Sequence, residues 1–235
     1  MHRIYALREV REENARTRTL VCDGPLEARP GQFVMVWLPG VGEKPFSVAG
    51  DDPMALMVVG VGPVTHAINA LKVGDRLWVR GPLGQGYELE GERLMLVAGG
   101  YGVAPLRFLA EQALRRGMCV EACVGARSAA DLLLCSDLAA LGVRLCLATE
   151  DGSAGERGLV TALLTRRLAA WKPDLVCACG PVPMLEAVER LCAQQGVACQ
   201  LSWEAEMRCG QGVCGSCECR RPGWLACVDG PVTVG

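Results

Sequence analysis

Aromatic residues make up only 5% of the 235-residue sequence, so any core must be built from Val, Leu, Ala and Met. Histidine is scarce too. His2 and His66 are the two present, neither lies in a cysteine or glycine motif, and both read as structural. No charge of one sign dominates: 24 basic residues face 26 acidic ones, for a net charge of −2. That balance gives no electrostatic case for nucleic acid or an anionic membrane. The opening MHRIYALREVREENARTR lacks the apolar centre of a secretory signal. No stretch approaches the roughly 18 apolar residues of a membrane span. Internal repeats and low-complexity linkers are also missing. These absences predict a soluble, cytoplasmic protein with neither nucleic acid nor membrane as partner.

What the sequence has is hydrophobic content, 51%, and fourteen cysteines. Its length allows two modest domains and an appendage, at ~150 residues per domain. A disulfide framework belongs to small secreted chains, and this sequence is too long, too apolar and unsignalled for one. Cys119, Cys123, Cys146, Cys177 and Cys192 sit in apolar runs and read as small buried hydrophobes in a reducing compartment. Five further cysteines fall between Cys209 and Cys227, in Gly-rich sequence without periodicity.

Three textures follow one another. Residues 1–90 hold short strand-like runs (33–38, 55–61 and 76–79) cut by Pro30-Gly31, Pro39-Gly40, Asp51-Asp52-Pro53 and Gly74-Asp75, with one helical patch at 65–71. Closely spaced short strands with such punctuation predict an antiparallel β-barrel or sandwich. Residues 91–200 alternate uniformly apolar strands (94–98, 120–124, 143–148 and 175–178) with helices (105–115, 159–169 and 184–194). That alternation predicts an α/β unit whose parallel sheet is covered on both faces and binds ligands at its C-terminal edge. Residues 201–235 are dominated by Cys and Gly and read as a small third unit held by something other than a core.

The late cysteines carry the strongest chemical signal. Cys209-x4-Cys214-x2-Cys217-x9-Cys227 supplies four thiolates, the first three on a nine-residue loop rich in glycine. This is the spacing of plant-type [2Fe–2S] ferredoxins, and glycine lets backbone N–H groups approach the sulfurs. The competing reading is tetrahedral zinc, which prefers two C-x2-C knuckles; only Cys214 and Cys217 form such a pair. Cys219 reads as a neighbour of the centre rather than a ligand. A [2Fe–2S] centre carries one electron, so a second redox group is expected.

Two turns fit a nucleotide. Gly99-Gly100-Tyr101-Gly102 follows a strand and opens a helix containing Pro105, which suits a phosphate. Cys179-Gly180-Pro181 ends a second strand of the same sheet. Either turn alone is equally compatible with a structural role. In the first region Lys44-Pro45-Phe46-Ser47 offers a cation and a hydroxyl to a pyrophosphate, or else a surface lysine and a turn serine.

The ordered set Lys44-Pro45-Phe46-Ser47, Gly81-Pro82-Leu83-Gly84-Gln85-Gly86-Tyr87, Gly99–Pro105 and Cys179-Gly180-Pro181 resembles the ferredoxin–NADP reductase superfamily. Joined to the cysteine cluster and the tail Asp229-Gly230-Pro231-Val232, it resembles the electron-transfer subunits of class 1B dihydroorotate dehydrogenases over nearly the whole chain. The resemblance implies a β-barrel FAD domain, an α/β NAD domain and a C-terminal [2Fe–2S] unit. It implies FAD contacts at Lys44, Pro45, Phe46 and Ser47, at Met57, Val58 and Val59, and at Val64 and Thr65, and implies NAD contacts at Gly99, Gly100, Tyr101, Gly102, Pro105, Cys179, Gly180 and Pro181. The implied cluster ligands are Cys209, Cys214, Cys217 and Cys227, and no catalytic acid–base residue is required.

Two positions depart from the family pattern: Lys44 replaces an arginine and so lacks its planar fork, and Tyr101 stands where a glycine is usual. The implied partner is an FMN-containing dihydroorotate dehydrogenase catalytic subunit in a heterotetramer. Its electrons would pass through the cluster to FAD and on to NAD⁺, in pyrimidine biosynthesis. Related subunits serve hydrogenases, sulfite reductases and ferredoxin:NADP oxidoreductases, and Gly62–Ile68 and the short Cys217–Cys227 spacing read like those chains. A non-catalytic zinc- and nucleotide-binding module is the reading from a different class.

Overall fold

The computed structural model describes residues 2–235. The chain divides into two compact units, one formed by the sequence up to Gly86 together with Ala205–Pro231, the other by Tyr87–Glu204 and Val232–Gly235. The expected third unit over 201–235 is therefore shared out: the cysteine segment joins the first unit, and the ends of that stretch join the second.

In the first unit six antiparallel strands close a barrel. They are β1 (Arg3–Asn14), β2 (Thr17–Cys22), β3 (Phe33–Leu38), β4 (Gly42–Asp51), β5 (Met54–Val59) and β6 (Arg76–Leu83), in the order β1-β2-β5-β4-β3-β6. A short helix, α1 (Pro63–Asn69), separates β5 from β6. β6 shows why these residues make a barrel wall: Leu77 and Val79 are buried, while Arg76, Trp78 and Arg80 alternate to the other face. Burying a side chain of this kind contributes about 1.5–3 kcal/mol, and Leu7, Leu20, Leu56 and Met54 from other strands share that interior.

Ala205–Pro231 adds almost no regular structure to this unit. Among the described residues its pairings are two isolated bridges, Glu218 with Leu225 inside the segment and Pro231 with Gln85 just after β6. Gly210 lies so close to the barrel that a Cβ there would sit 3.1 Å from Met35 Cγ and 3.2 Å from Leu83 Cδ1. Further on, Gln85 donates its backbone N–H to the Gly230 carbonyl and its side-chain amide to the Val228 carbonyl. Within this unit, residues 81–86 and 228–231 thus pack against each other.

The second unit is a sheet in the order β10-β9-β8-β7-β11-β12-β13. Its strands are β7 (Arg93–Gly99), β8 (Cys119–Ala126), β9 (Arg144–Thr149), β10 (Glu156–Arg157), β11 (Leu175–Cys179), β12 (Ala198–Ser202) and β13 (Val232–Val234). All pairings are parallel except β12–β13. The helices are α2 (Val103–Arg115), α3 (Cys135–Ala140), α4 (Val160–Trp171) and α5 (Val182–Gln195). β7 and β11 are buried along almost their whole length, as the continuous apolar runs require of strands covered on both faces. Glu121 is the charged exception: it is buried in β8 and held by Arg167 Nε and Nη2 at 2.9 and 2.6 Å. Among the described residues no helix is long and apolar enough to cross a membrane.

Candidate functional site

Three groups of candidate residues exist, and each is complete within one unit. The first lies on the barrel. Lys44, Pro45, Phe46 and Ser47 occupy the first half of β4; Lys44 is exposed and the other three are half-buried. Met57, Val58 and Val59 end β5, and Val64 and Thr65 begin α1. The β4–β5 ladder stops at Val48–Leu56. Residues 44–47 are consequently paired only with β3, and residues 57–59 only with β2. The wall is thus unlaced where the expected FAD residues gather; the Val58 carbonyl there accepts from Asn69 Nδ2 at 3.3 Å. Thr65 plays a different part. Its hydroxyl accepts from the N–H groups of Val61 and Gly62 and donates to the Gly62 carbonyl, so it is consumed in shaping the start of α1.

The second group is the C-terminal edge of the parallel sheet. β7 is flanked by β8 on one side and β11 on the other, so connections leave in opposite directions on either side of the β7–β11 pair. Such a switch point opens a crevice, the usual ligand position in an open α/β sheet. Gly99, Gly100, Tyr101 and Gly102 follow β7, and Cys179, Gly180 and Pro181 follow β11. Strand register sets Cys179 beside Ala98, which brings the two turns together. Their approach is so close that a Cβ on Gly102 would fall 2.2 Å from the Cys179 carbonyl oxygen. Gly100 has φ +53° and open space around its Cα. Pro105 is buried in the first turn of α2, where a missing N–H costs nothing.

Sequence reasoning missed the contribution of β12 to this edge. Glu204 follows β12, and its Oε2 accepts a hydrogen bond of 3.1 Å from the Tyr101 hydroxyl. Partial burial raises the Glu204 carboxyl above its usual range, and the Tyr101 hydrogen bond works against that rise. Burial pushes the Cys179 thiol up to about 12, the Glu204 charge adds to this, and Ser202 opposes it. Cys179 is therefore a neutral thiol at physiological pH. Below it, Tyr87 donates to the Ala178 carbonyl at 2.9 Å, fixing the end of β11. The signal for Glu204 was weak because Gln200 interrupts the apolar run of β12.

The third group is the cysteine segment. Cys217 and Cys227 are buried with their sulfurs 3.3 Å apart. The Glu218–Leu225 bridge explains the nine-residue spacing: it folds the intervening chain into a tight hairpin that returns Cys227 to Cys217. Cys209 and Cys214 form a second pair, close enough for each thiol to influence the other. Backbone N–H groups point at the sulfurs, from Gln211 to Cys209 at 3.4 Å and from Gly212 to Cys227 at 3.2 Å.

The Ser216 hydroxyl and N–H, with Cys209, lower the Cys214 thiol to about 6, which favours the thiolate. Burial and the neighbouring Cys217 push Cys227 up to about 11. Cys219 is half-buried, and burial raises its thiol. Among the described residues no three His, Cys, Asp or Glu side chains are placed to share one metal ion. The four thiols come as two pairs instead.

Comparison with known proteins bears on the nucleotide turns and on the chain as a whole. The family model described as "Oxidoreductase NAD-binding domain" matches residues 96–190, the stretch carrying both nucleotide turns. A Thermococcus kodakarensis protein named "Probable dihydroorotate dehydrogenase B (NAD(+)), electron transfer subunit" is 42% identical, with 100% of this chain and 97% of that protein covered. A Methanothermobacter thermautotrophicus protein of the same name is 40% identical over 97% of this chain and 87% of its own length. The chain belongs to the family of dihydroorotate dehydrogenase B (NAD(+)) electron transfer subunits. A solved NADH-dependent reduced ferredoxin-NADP oxidoreductase, studied for flavin-based electron bifurcation, shares the fold with a TM-score of 0.87 and 29% identity. The match covers 98% of this chain and 87% of that one. An Amycolatopsis cytochrome P450 reductase matches with a TM-score of 0.68 and 26% identity over 83% of this chain and 67% of its own. Membership of this family makes the chain an NAD-linked flavin oxidoreductase subunit.

The contact between the two nucleotide turns gives a test. Gly102→Ala must push the turns apart, an overpacking that costs roughly 2 kcal/mol. We expect a lower melting temperature and a KM for NADH raised several-fold, with flavin content retained. An unchanged KM and melting temperature would show that the turns do not depend on this contact.

Proposed function

We propose that this chain is the electron-transfer subunit of an NAD-dependent dihydroorotate dehydrogenase, holding a [2Fe–2S] centre and FAD in its first unit and NAD in its second. When bound, the cluster and FAD supply one- and two-electron redox chemistry and NAD⁺ accepts a hydride. The observation that carries the reading is the pairing of thiols in the cysteine segment. A zinc site gathers four donors about one ion, whereas a [2Fe–2S] centre takes two thiolates at each of two irons. The pairs Cys209/Cys214 and Cys217/Cys227 suit the second arrangement, with N–H groups already aimed at the sulfurs.

The remaining residues have defined tasks. Lys44 sets a positive charge beside Pro45, Phe46 and Ser47 for the FAD pyrophosphate, as a point charge rather than a bidentate fork. Met57, Val58 and Val59 offer the backbone edge that β4 leaves unpaired. Val64 caps the seam while Thr65 holds the turn before α1. In the second unit Gly99, Gly100 and Gly102 let the dinucleotide approach the start of α2, which Pro105 stiffens. Cys179 offers an uncharged, polarisable thiol to the nicotinamide, and Gly180 and Pro181 turn the chain away from it. Tyr101, tied to Glu204, narrows the approach. None of these groups transfers a substrate proton, in keeping with a subunit that moves electrons. The partner is the FMN-containing catalytic subunit, the two chains assembling as a heterotetramer in the cytoplasm.

A second reading has one observation in its favour. The structural match at TM-score 0.87 is to an NADH-dependent reduced ferredoxin-NADP oxidoreductase; on this reading the chain would hold the same proposed cofactors and serve a different partner. Affinity purification of the tagged protein from its native host distinguishes them. Recovery of an FMN-containing subunit with dihydroorotate oxidation activity is expected. Recovery of a hydrogenase, sulfite reductase or ferredoxin-linked subunit, with no such activity, would move the chain to the second reading.

The ligand set is tested by comparing Cys219→Ser with Cys227→Ser. The first should retain the EPR signal of a reduced [2Fe–2S] centre, and the second should lose most of it. Equal damage from both, or damage from Cys219→Ser alone, would break the assignment.

A further inference from the structure

Arg80 stands on the outward face of β6, and its guanidinium reaches the cysteine segment. Nη2 donates to the carbonyl oxygen of Cys209 at 2.9 Å. The same nitrogen donates to Glu43 Oε2 at 3.0 Å, and Nε donates to Glu43 Oε1 at 3.4 Å. Both side chains are largely withdrawn from solvent, at 14% exposure for Arg80 and 24% for Glu43. Nη1 is buried with no hydrogen-bond partner. On the far side His2 Nε2 lies 3.4 Å from Glu43 Oε1.

An ion pair of this kind is a poor stabiliser, since desolvating two charges offsets most of their attraction. Its position is more telling. A cation fixed on the backbone of a thiolate-bearing residue acts on any negative charge that gathers at the neighbouring sulfurs, and partial burial keeps solvent ions from screening it.

We propose that Arg80 and Glu43 form a charge-setting pair for the cysteine centre: Arg80 pins the Cys209 backbone and favours electron uptake, and Glu43 limits how strongly it does so. The inference rests on reading Cys209, Cys214, Cys217 and Cys227 as ligands of a [2Fe–2S] centre. Uptake of one electron makes that centre more negative by one charge and moves no proton, so a fixed cation lowers the energy of the reduced form relative to the oxidised one. Arg80 is thus a positioning residue, acting through Cys209 and through its field. The sequence hid it, because Arg80 precedes Gly81 in a strand and lies far along the chain from Cys209.

The test is a dye-mediated redox titration of the full-length, cluster-loaded protein, read by the EPR signal of the reduced centre. Arg80→Gln should favour the oxidised centre about tenfold, a fall of about 59 mV for a one-electron couple. Glu43→Gln should shift the midpoint the opposite way, upward, because it removes the limiting charge and leaves the bond from Arg80 to Cys209. Arg80→Lys should return the midpoint towards that of the unsubstituted protein. A purely structural anchor would lower cluster content in both Gln variants without moving their midpoints in opposite directions. Midpoints that stay put, or that move the same way, overturn the inference. If Arg80→Gln fails to retain iron, Glu43→Gln decides alone: a raised midpoint supports the pair and an unmoved one overturns it. If the unsubstituted protein shows no [2Fe–2S] signal, the cluster reading falls and this inference with it.

Discussion

The structure depends on a borrowed foundation. Ala205–Pro231 cannot bury enough apolar surface to hold a shape alone: Cys217, Trp224, Ala226 and Cys227 are its buried hydrophobic side chains. Its geometry is therefore set by the barrel it rests on. Gly210 fits against Met35 and Leu83, Arg80 holds the Cys209 carbonyl, and Gln85 holds the Gly230 and Val228 carbonyls. Those anchors fix where the thiol pairs stand. The sequence between Cys217 and Cys227 then has one job, to fold a hairpin short enough to bring the two sulfurs together.

The nucleotide unit solves a similar problem with a core of its own. The uniformly apolar strands β7 and β11 are buried on both faces at the centre of the sheet. The switch of connection direction beside β7 makes one edge a crevice. Glycine at position 102 allows the two turns to meet there, and burial keeps Cys179 neutral beside them. A thiolate at that place would repel an electron-rich cofactor; a thiol does not.

Much of this was legible from residue order. The apolar runs at 94–98 and 175–178 became β7 and β11, and the helical patch at 65–71 became α1, shifted towards Pro63. β1 was not read, because its burial alternates only weakly and EVREEN looks like a solvated run; that half of the strand pairs with β2 alone, beyond the pairing with β6, and so tolerates such charge. β12 was missed because it is short and carries Gln200, whose side chain bonds the Glu88 backbone. The grouping of the late cysteines was legible, since Cys209, Cys214 and Cys217 lie close together in sequence. Its attachment to the barrel was not, since Arg80 and Cys209 are 129 residues apart. Long-range contacts between single charged residues and a loop leave no periodic trace, so Glu43, Arg80 and Glu204 emerge only from the fold.

The central claim is that one chain carries flavin and paired-thiol chemistry together. The most direct measurement is the cofactor content of the natively purified, anaerobically handled protein. The account predicts two irons and two acid-labile sulfides per FAD, in a yellow-brown protein with flavin bands over broad cluster absorption. A colourless protein containing zinc, with neither flavin nor acid-labile sulfide, would contradict it.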